Sequence, residues 1–143
     1  MDTAVEIKAI SGKERNSIWI SSLDQLQSTV GRLFLKIYRL GKTTEQTQGL
    51  SLNELVSMVE EKIKSSSVLI QFLDRLAATG YIPLDHYDTP NFIVLSETTY
   101  LVGDEFPKLT KSQMPVGIEK AKYELDLSAI ETFVCDNLIS MES

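Results

Sequence analysis

Val5-Glu6-Ile7-Lys8-Ala9-Ile10 alternates apolar and polar residues, the period of a half-buried strand, almost at the start of the chain. A strand cannot stand alone: its backbone groups need a neighbour, and an unpaired edge tends to be covered by a partner. Everything that follows must therefore supply a sheet. Ser11-Gly12-Lys13-Glu14-Arg15-Asn16 reads as a polar turn. Ser17-Ile18-Trp19-Ile20-Ser21 then reads as a second strand, expected to run antiparallel to the first. Ser22 can cap a short helix, Leu23 to Gln27. The β-branched and aromatic content of 31–40, between glycines, favours a buried strand, with a helix from Ser22 to Leu40 as the alternative. Gly41 to Gly49 is expected to be a polar loop.

From residue 51 the period changes. Ser51 and Glu54 have the spacing of a capping box, and the helix they open places Leu52, Leu55, Val56, Val59 and Ile63 on one face. A second helix starts at Ser65-Ser66-Ser67 and stops at Gly80, a usual C-terminal position for glycine. Phe92-Ile93-Val94-Leu95 and Thr98-Thr99-Tyr100-Leu101-Val102, joined by a short polar turn, suggest a hairpin. Ala121 to Leu127 alternates like a strand, and Asp126 or Ser128 can cap a last helix from Ala129 to about Leu138. The expected fold class is α+β. It has a partial mixed sheet over residues 1–48, then over 49–143 a helical region with a winged-helix-like hairpin and a C-terminal strand and helix.

Composition excludes several classes. One cysteine rules out an internal disulfide, and Cys135 in its apolar context is expected to pack rather than react. With a single histidine, His86, set in the polar run Asp85-His86-Tyr87-Asp88, a His/Cys zinc site is not available. No segment has the ~18 apolar residues of a membrane helix, and the N-terminal residues lack a signal-peptide pattern. A cytoplasmic protein without a membrane partner is expected. The net charge is −6, but it is uneven. Residues 1–48 carry seven Lys/Arg against five Asp/Glu, residues 49–106 three against nine, and residues 107–143 four against six. The N-terminal third is the locally basic part.

That third also holds the candidate chemistry. In Glu6-Ile7-Lys8 the two charged side chains point the same way, because residues i and i+2 of a strand share a face. Magnesium-dependent phosphodiester hydrolysis needs such a face: a carboxylate holds the hard cation, and a nearby lysine positions water or steadies developing charge. The tripeptide alone is unspecific, since many amphipathic strands show it on their wet face.

Further segments occur in a characteristic order. They are Val5-Glu6-Ile7-Lys8, Ile18-Trp19-Ile20-Ser21-Ser22 with Gln25-Leu26, Leu33 to Leu40, Ser51 to Val56, Leu76 to Tyr81, Tyr100 to Leu109 and Lys122 to Leu127. Together they resemble a bacterial family of PD-(D/E)XK motif proteins, restriction-endonuclease-like, with this chain matching its C-terminal portion. The resemblance implies a metal-dependent DNA nuclease of bacterial restriction or phage defence, with Mg²⁺ or Mn²⁺ as cofactor and DNA as partner. It makes Glu6 the metal-binding acid, Lys8 the catalytic lysine, Ile7 a metal ligand through its main-chain carbonyl, and Gln25 a polar neighbour of the site. The family motif also needs an aspartate on the preceding strand. Asp2 lies only four positions before Glu6, too close for a strand and a turn. The chain is thus expected to be incomplete or partner-dependent, with a homodimer or an additional chain completing the N-terminal sheet. The alternative is a non-catalytic protein- or DNA-binding subunit of a defence complex. DNA reading by residues 65–80 would rest on Arg75 alone, which stands beside Asp74.

Overall fold

The computed structural model describes residues 2–27, 31–45 and 47–135. Its elements, in chain order, are β1 (Asp2–Ser11), β2 (Ser17–Ile20), β3 (Gly31–Thr43), α1 (Leu52–Lys62), α2 (Ser66–Ala78), β4 (Asn91–Leu101) and β5 (Tyr123–Asp126). Four short 3-10 turns punctuate them, Leu23–Leu26, Asp85–Asp88, Lys111–Gln113 and Leu127–Phe133. The α+β class read from the sequence holds. The strands form a three-stranded sheet in the order β1-β3-β4 and a two-stranded sheet of β2 with β5. The chain divides into two compact units, Met1–Leu40 with Leu95–Ser143, and Gly41–Val94.

In the first unit β1 runs parallel to β3 over its whole length, from Asp2 opposite Gly31 to Ser11 opposite Leu40. The expected antiparallel pairing of β1 with β2 does not form. Instead β2 pairs with β5, Ile18 opposite Leu125 and Ile20 opposite Tyr123. The alternation of β2 fixes which residues face inward, not which strand lies beside it, and Ile18 and Ile20 gain most by meeting Leu125 and Leu127 in the core. The 11–16 connection is held as a loop: the Arg39 guanidinium donates to the carbonyls of Gly12 at 3.0 Å and Arg15 at 2.6 Å.

The core of this unit gathers Ile10, Leu33, Leu35, Ile37 and Tyr100 from the larger sheet, Ile18, Ile20 and Leu125 from the smaller, and Leu26, Phe106 and Ile130 around them. Ile20, Leu35 and Ile130 are fully buried, each contributing roughly 1.5–3 kcal/mol by removal from water. Phe106 meets Phe133 edge-on at 5.2 Å. Asp126 caps the last turn by accepting from the amide and hydroxyl of Ser128, and these bonds hold its carboxyl below the usual carboxylate range. That turn is 3-10 over Leu127–Phe133, not the expected α-helix; residues 136–138 of that expectation lie outside the described residues. Cys135 is half-buried, its amide bonded to the Thr99 carbonyl at 2.9 Å.

The hairpin expected between 92 and 102 is also absent, because Asn91–Leu101 is one continuous strand. Ser96 and Glu97, which suggested a turn, are exposed mid-strand, and Glu97 pairs with Lys36 at 3.9 Å. Polar residues there reflect a solvated sheet edge rather than a reversal. β3 likewise continues to Thr43, two residues past the glycine expected to end it. The short turn after Ser22 is 3-10, and Ser22 makes no side-chain cap bond.

In the second unit the helices form as their sequence dictates. Ser51 accepts from the Glu54 amide at 3.1 Å while the Glu54 carboxylate accepts from the Ser51 amide at 2.9 Å, a complete capping box. Ser65 caps α2, and Gly80 leaves it with φ +91°. Leu50 and Phe92 exchange two backbone bonds of 3.0 and 2.8 Å. His86 meets Tyr87 at a tilt of 46°, with ring centres 4.0 Å apart.

Candidate functional site

β1 alternates in burial, but over Val5 to Lys8 in the sense opposite to its hydrophobicity. Ala4 and Ile10 reach the core, and between them on the same face stand Glu6 and Lys8. The apolar Ile7 points away and is 60% exposed, with Val5 also exposed. The parallel register explains the choice. Glu6 lies beside Leu35 and Lys8 beside Ile37, so the two charges border the buried side chains of β3. Their side chains retain only 27% and 17% of their exposure respectively. Charge drawn toward an apolar core is costly unless it is paired and hydrogen-bonded.

Here it is both. Lys8 Nζ lies 3.8 Å from Glu6 Oε1 and donates to Gln25 Oε1 at 2.9 Å. The same oxygen accepts from the Ser21 amide at 2.9 Å, which fixes the orientation of the Gln25 amide. Gln25 reaches this position because the 3-10 turn Leu23–Leu26 buries Leu23 and Leu26, and of the two residues between them Gln25 meets β1 at Lys8. Glu6, Lys8 and Gln25 are therefore one connected group. Ile7 can join it only through its main chain. The amide of Ser21 was missed by sequence reasoning, since any residue offers a backbone N–H and no side-chain signal marks it.

Asp2 stands on the same strand and is exposed. Four residues of strand separate its Cα from that of Glu6 by about 13 Å, too far for both carboxylates to bind one ion. Among the described residues no cluster of three or more His, Cys, Asp or Glu side chains could hold a metal ion. The donors at the site, one carboxylate and the neighbouring Ile7 carbonyl, fit a hard cation in part, since Mg²⁺ commonly takes one or two carboxylates and keeps waters. A second acid is missing from the set.

No helix among the described residues is long and apolar enough to cross a membrane. Neither a curated protein nor a solved structure matches the chain. One family model does, described as "Putative PD-(D/E)XK family member, (DUF4420)", over residues 1–128. That span includes every residue of the Glu6–Lys8–Gln25 group, and the chain belongs to this PD-(D/E)XK family, within a nuclease-like superfamily.

Proposed function

We propose that this chain carries the Glu-x-Lys half of a metal-dependent DNA nuclease centre and that a second acid from outside the described residues completes it. The observation that supports this reading is the inward turn of Glu6 and Lys8, between Ala4 and Ile10, on a strand whose Val5 and Ile7 face out. A strand selected only for packing would place Val5 and Ile7 inside. A divalent ion, Mg²⁺ or Mn²⁺ by family, would be held by Glu6 and the Ile7 carbonyl; when bound, it supplies activation of water and stabilisation of phosphoryl charge. The chain's own part is electrostatic. Lys8, held by Gln25, presents a fixed positive charge where a phosphate oxygen would lie, and Glu6 balances it in the absence of substrate. The resemblance to restriction-endonuclease-like proteins supports a role in bacterial restriction or phage defence, in the cytoplasm.

The test is nicking of supercoiled DNA with Mg²⁺ or Mn²⁺ by the purified chain and by Glu6→Ala and Lys8→Ala. Wild-type cleavage that falls about 100-fold or more in both variants is the expected result, the scale of losing one charge-stabilising group. Cleavage that survives both substitutions would show that the nuclease centre lies elsewhere. A wild-type chain that cuts with neither ion would either make the centre dependent on an acid from another chain or favour the second reading, a non-catalytic protein- or DNA-binding subunit, which the single carboxylate at the site supports.

A further inference from the structure

We propose that the groove between α1 and α2 docks an amphipathic helix of a partner protein, one whose apolar stripe is flanked by basic side chains. The inference is independent of the nuclease reading, because every residue it uses lies in Gly41–Val94. Most helical stability in proteins comes from packing an apolar face. Yet α2, rich in Val, Leu, Ile and Phe, has no buried residue, and Leu73, which lines the groove, is 41% exposed. α1 buries Val56 alone.

The groove's apolar lining comes from Val56 of α1, from Leu73, Leu76 and Ala77 of α2, and from Ile82 and Pro83. Its volume of about 640 Å³ is enough to take several large side chains. The wall is preformed. Asn53 donates to the Asp88 carboxylate at 2.8 Å and the Leu84 carbonyl at 2.9 Å, and it accepts from the Tyr81 hydroxyl. Tyr81 is pushed above the ordinary phenol value, by desolvation first and then by Glu60 and Asp88.

Charge selects the occupant. Glu60, Asp85 and Asp88 line the groove and no lysine or arginine does, in a segment with three basic residues against six acidic ones over 49–94. That rim repels a phosphate backbone. It complements an apolar helix stripe bordered by lysine or arginine, the helix-in-groove mode of recognition.

The probe is a fluorescein-labelled peptide of leucine and lysine only, with leucines at i, i+3, i+4 and i+7, titrated into the full chain by anisotropy. Two controls accompany it: a scrambled peptide of the same composition, and one with glutamate for lysine. We expect the striped lysine peptide to bind about 10-fold or more tightly than either control. The Glu60→Lys/Asp85→Lys variant should weaken it about 10-fold, while Glu105→Lys/Glu119→Lys, with the same change in net charge away from the groove, leaves it unchanged. Circular dichroism confirms that both variants remain folded. Equal binding of the scrambled peptide, equal weakening by the two double variants, or no binding at all would overturn the proposal. Self-association of the chain that is lost in Glu60→Lys/Asp85→Lys, without peptide binding, would overturn it in favour of a second copy.

Discussion

Gln25 Oε1 has two donors, the Lys8 ammonium and the Ser21 amide, and this makes it the residue through which the site is positioned. Removing it strands a half-buried ammonium beside the core. A hydrogen bond involving a charged group contributes about 1.5–3 kcal/mol, so Gln25→Ala should lower unfolding stability by about 1–2 kcal/mol, allowing for the partial exposure of the pair. Gln25→Glu keeps an acceptor oxygen for both donors and should stay within about 0.5 kcal/mol of wild type. Urea unfolding measures both, and hydrogen exchange at Ser21 separates them: its amide should exchange faster in Gln25→Ala only. If the two variants lose protection equally, the shared-oxygen account fails. The spacing of Glu6 and Lys8 disclosed that they share a face, because strand periodicity is two. It did not disclose which face, because Val5 and Ile7 argue for the wrong one. That choice is made by the register with β3, where Leu35 and Ile37 lie beside the charges.

Elements whose determinants are local were legible, and those decided by distant partners were not. The capping box of α1 is written in two residues three apart, and its bonds form as read. The partner of β2 is a strand more than a hundred residues away in sequence, Ser17 facing Asp126. No periodicity within β2 specifies it. The false turn at Ser96 and Glu97 has a similar origin, since a solvated edge strand and a turn both call for polar residues. Two substitutions in the second unit test how local the α1 entry is. Ser51→Ala removes the cap acceptor at a buried position and should cost about 1 kcal/mol. Gly49→Ala should cost more. Its φ of +69° costs an L-residue about 1–2 kcal/mol. A Cβ there would also lie 2.2 Å from the Phe92 carbonyl oxygen, which bonds the Leu50 amide. Thermal unfolding of both variants checks the order. A Gly49→Ala variant as stable as wild type would mean that the Leu50–Phe92 bridge does not hold this segment.

At the scale of the whole molecule the two units offer separate observables, because the single tryptophan, Trp19, belongs to the first and reports on it alone. That unit also holds Tyr100 and Tyr123. Burial pushes the Tyr100 phenol above its ordinary value, with Glu131 adding to the rise and Arg39 opposing it. Burial raises Tyr123 too, partly offset by the hydrogen bond its oxygen accepts from the Leu109 amide. A raised phenol pKa means that the folded state prefers the neutral form more strongly than the unfolded chain does. The associated stability is fully present below the unfolded value of about 10 and is lost as pH rises through the folded values. Trp19 fluorescence in urea should therefore give a midpoint that is steady from pH 8 to about 9.5 and falls above pH 10. Tyr100→Phe removes the more deeply buried phenol without removing its ring, so the fall should become shallower while the midpoint at pH 8 changes little. Tyr123→Phe should also lower the midpoint at pH 8, because the Leu109 amide then loses its acceptor. A wild-type slope preserved in Tyr100→Phe would assign the alkaline loss to other groups and remove Tyr100 as the titrating brace of this core.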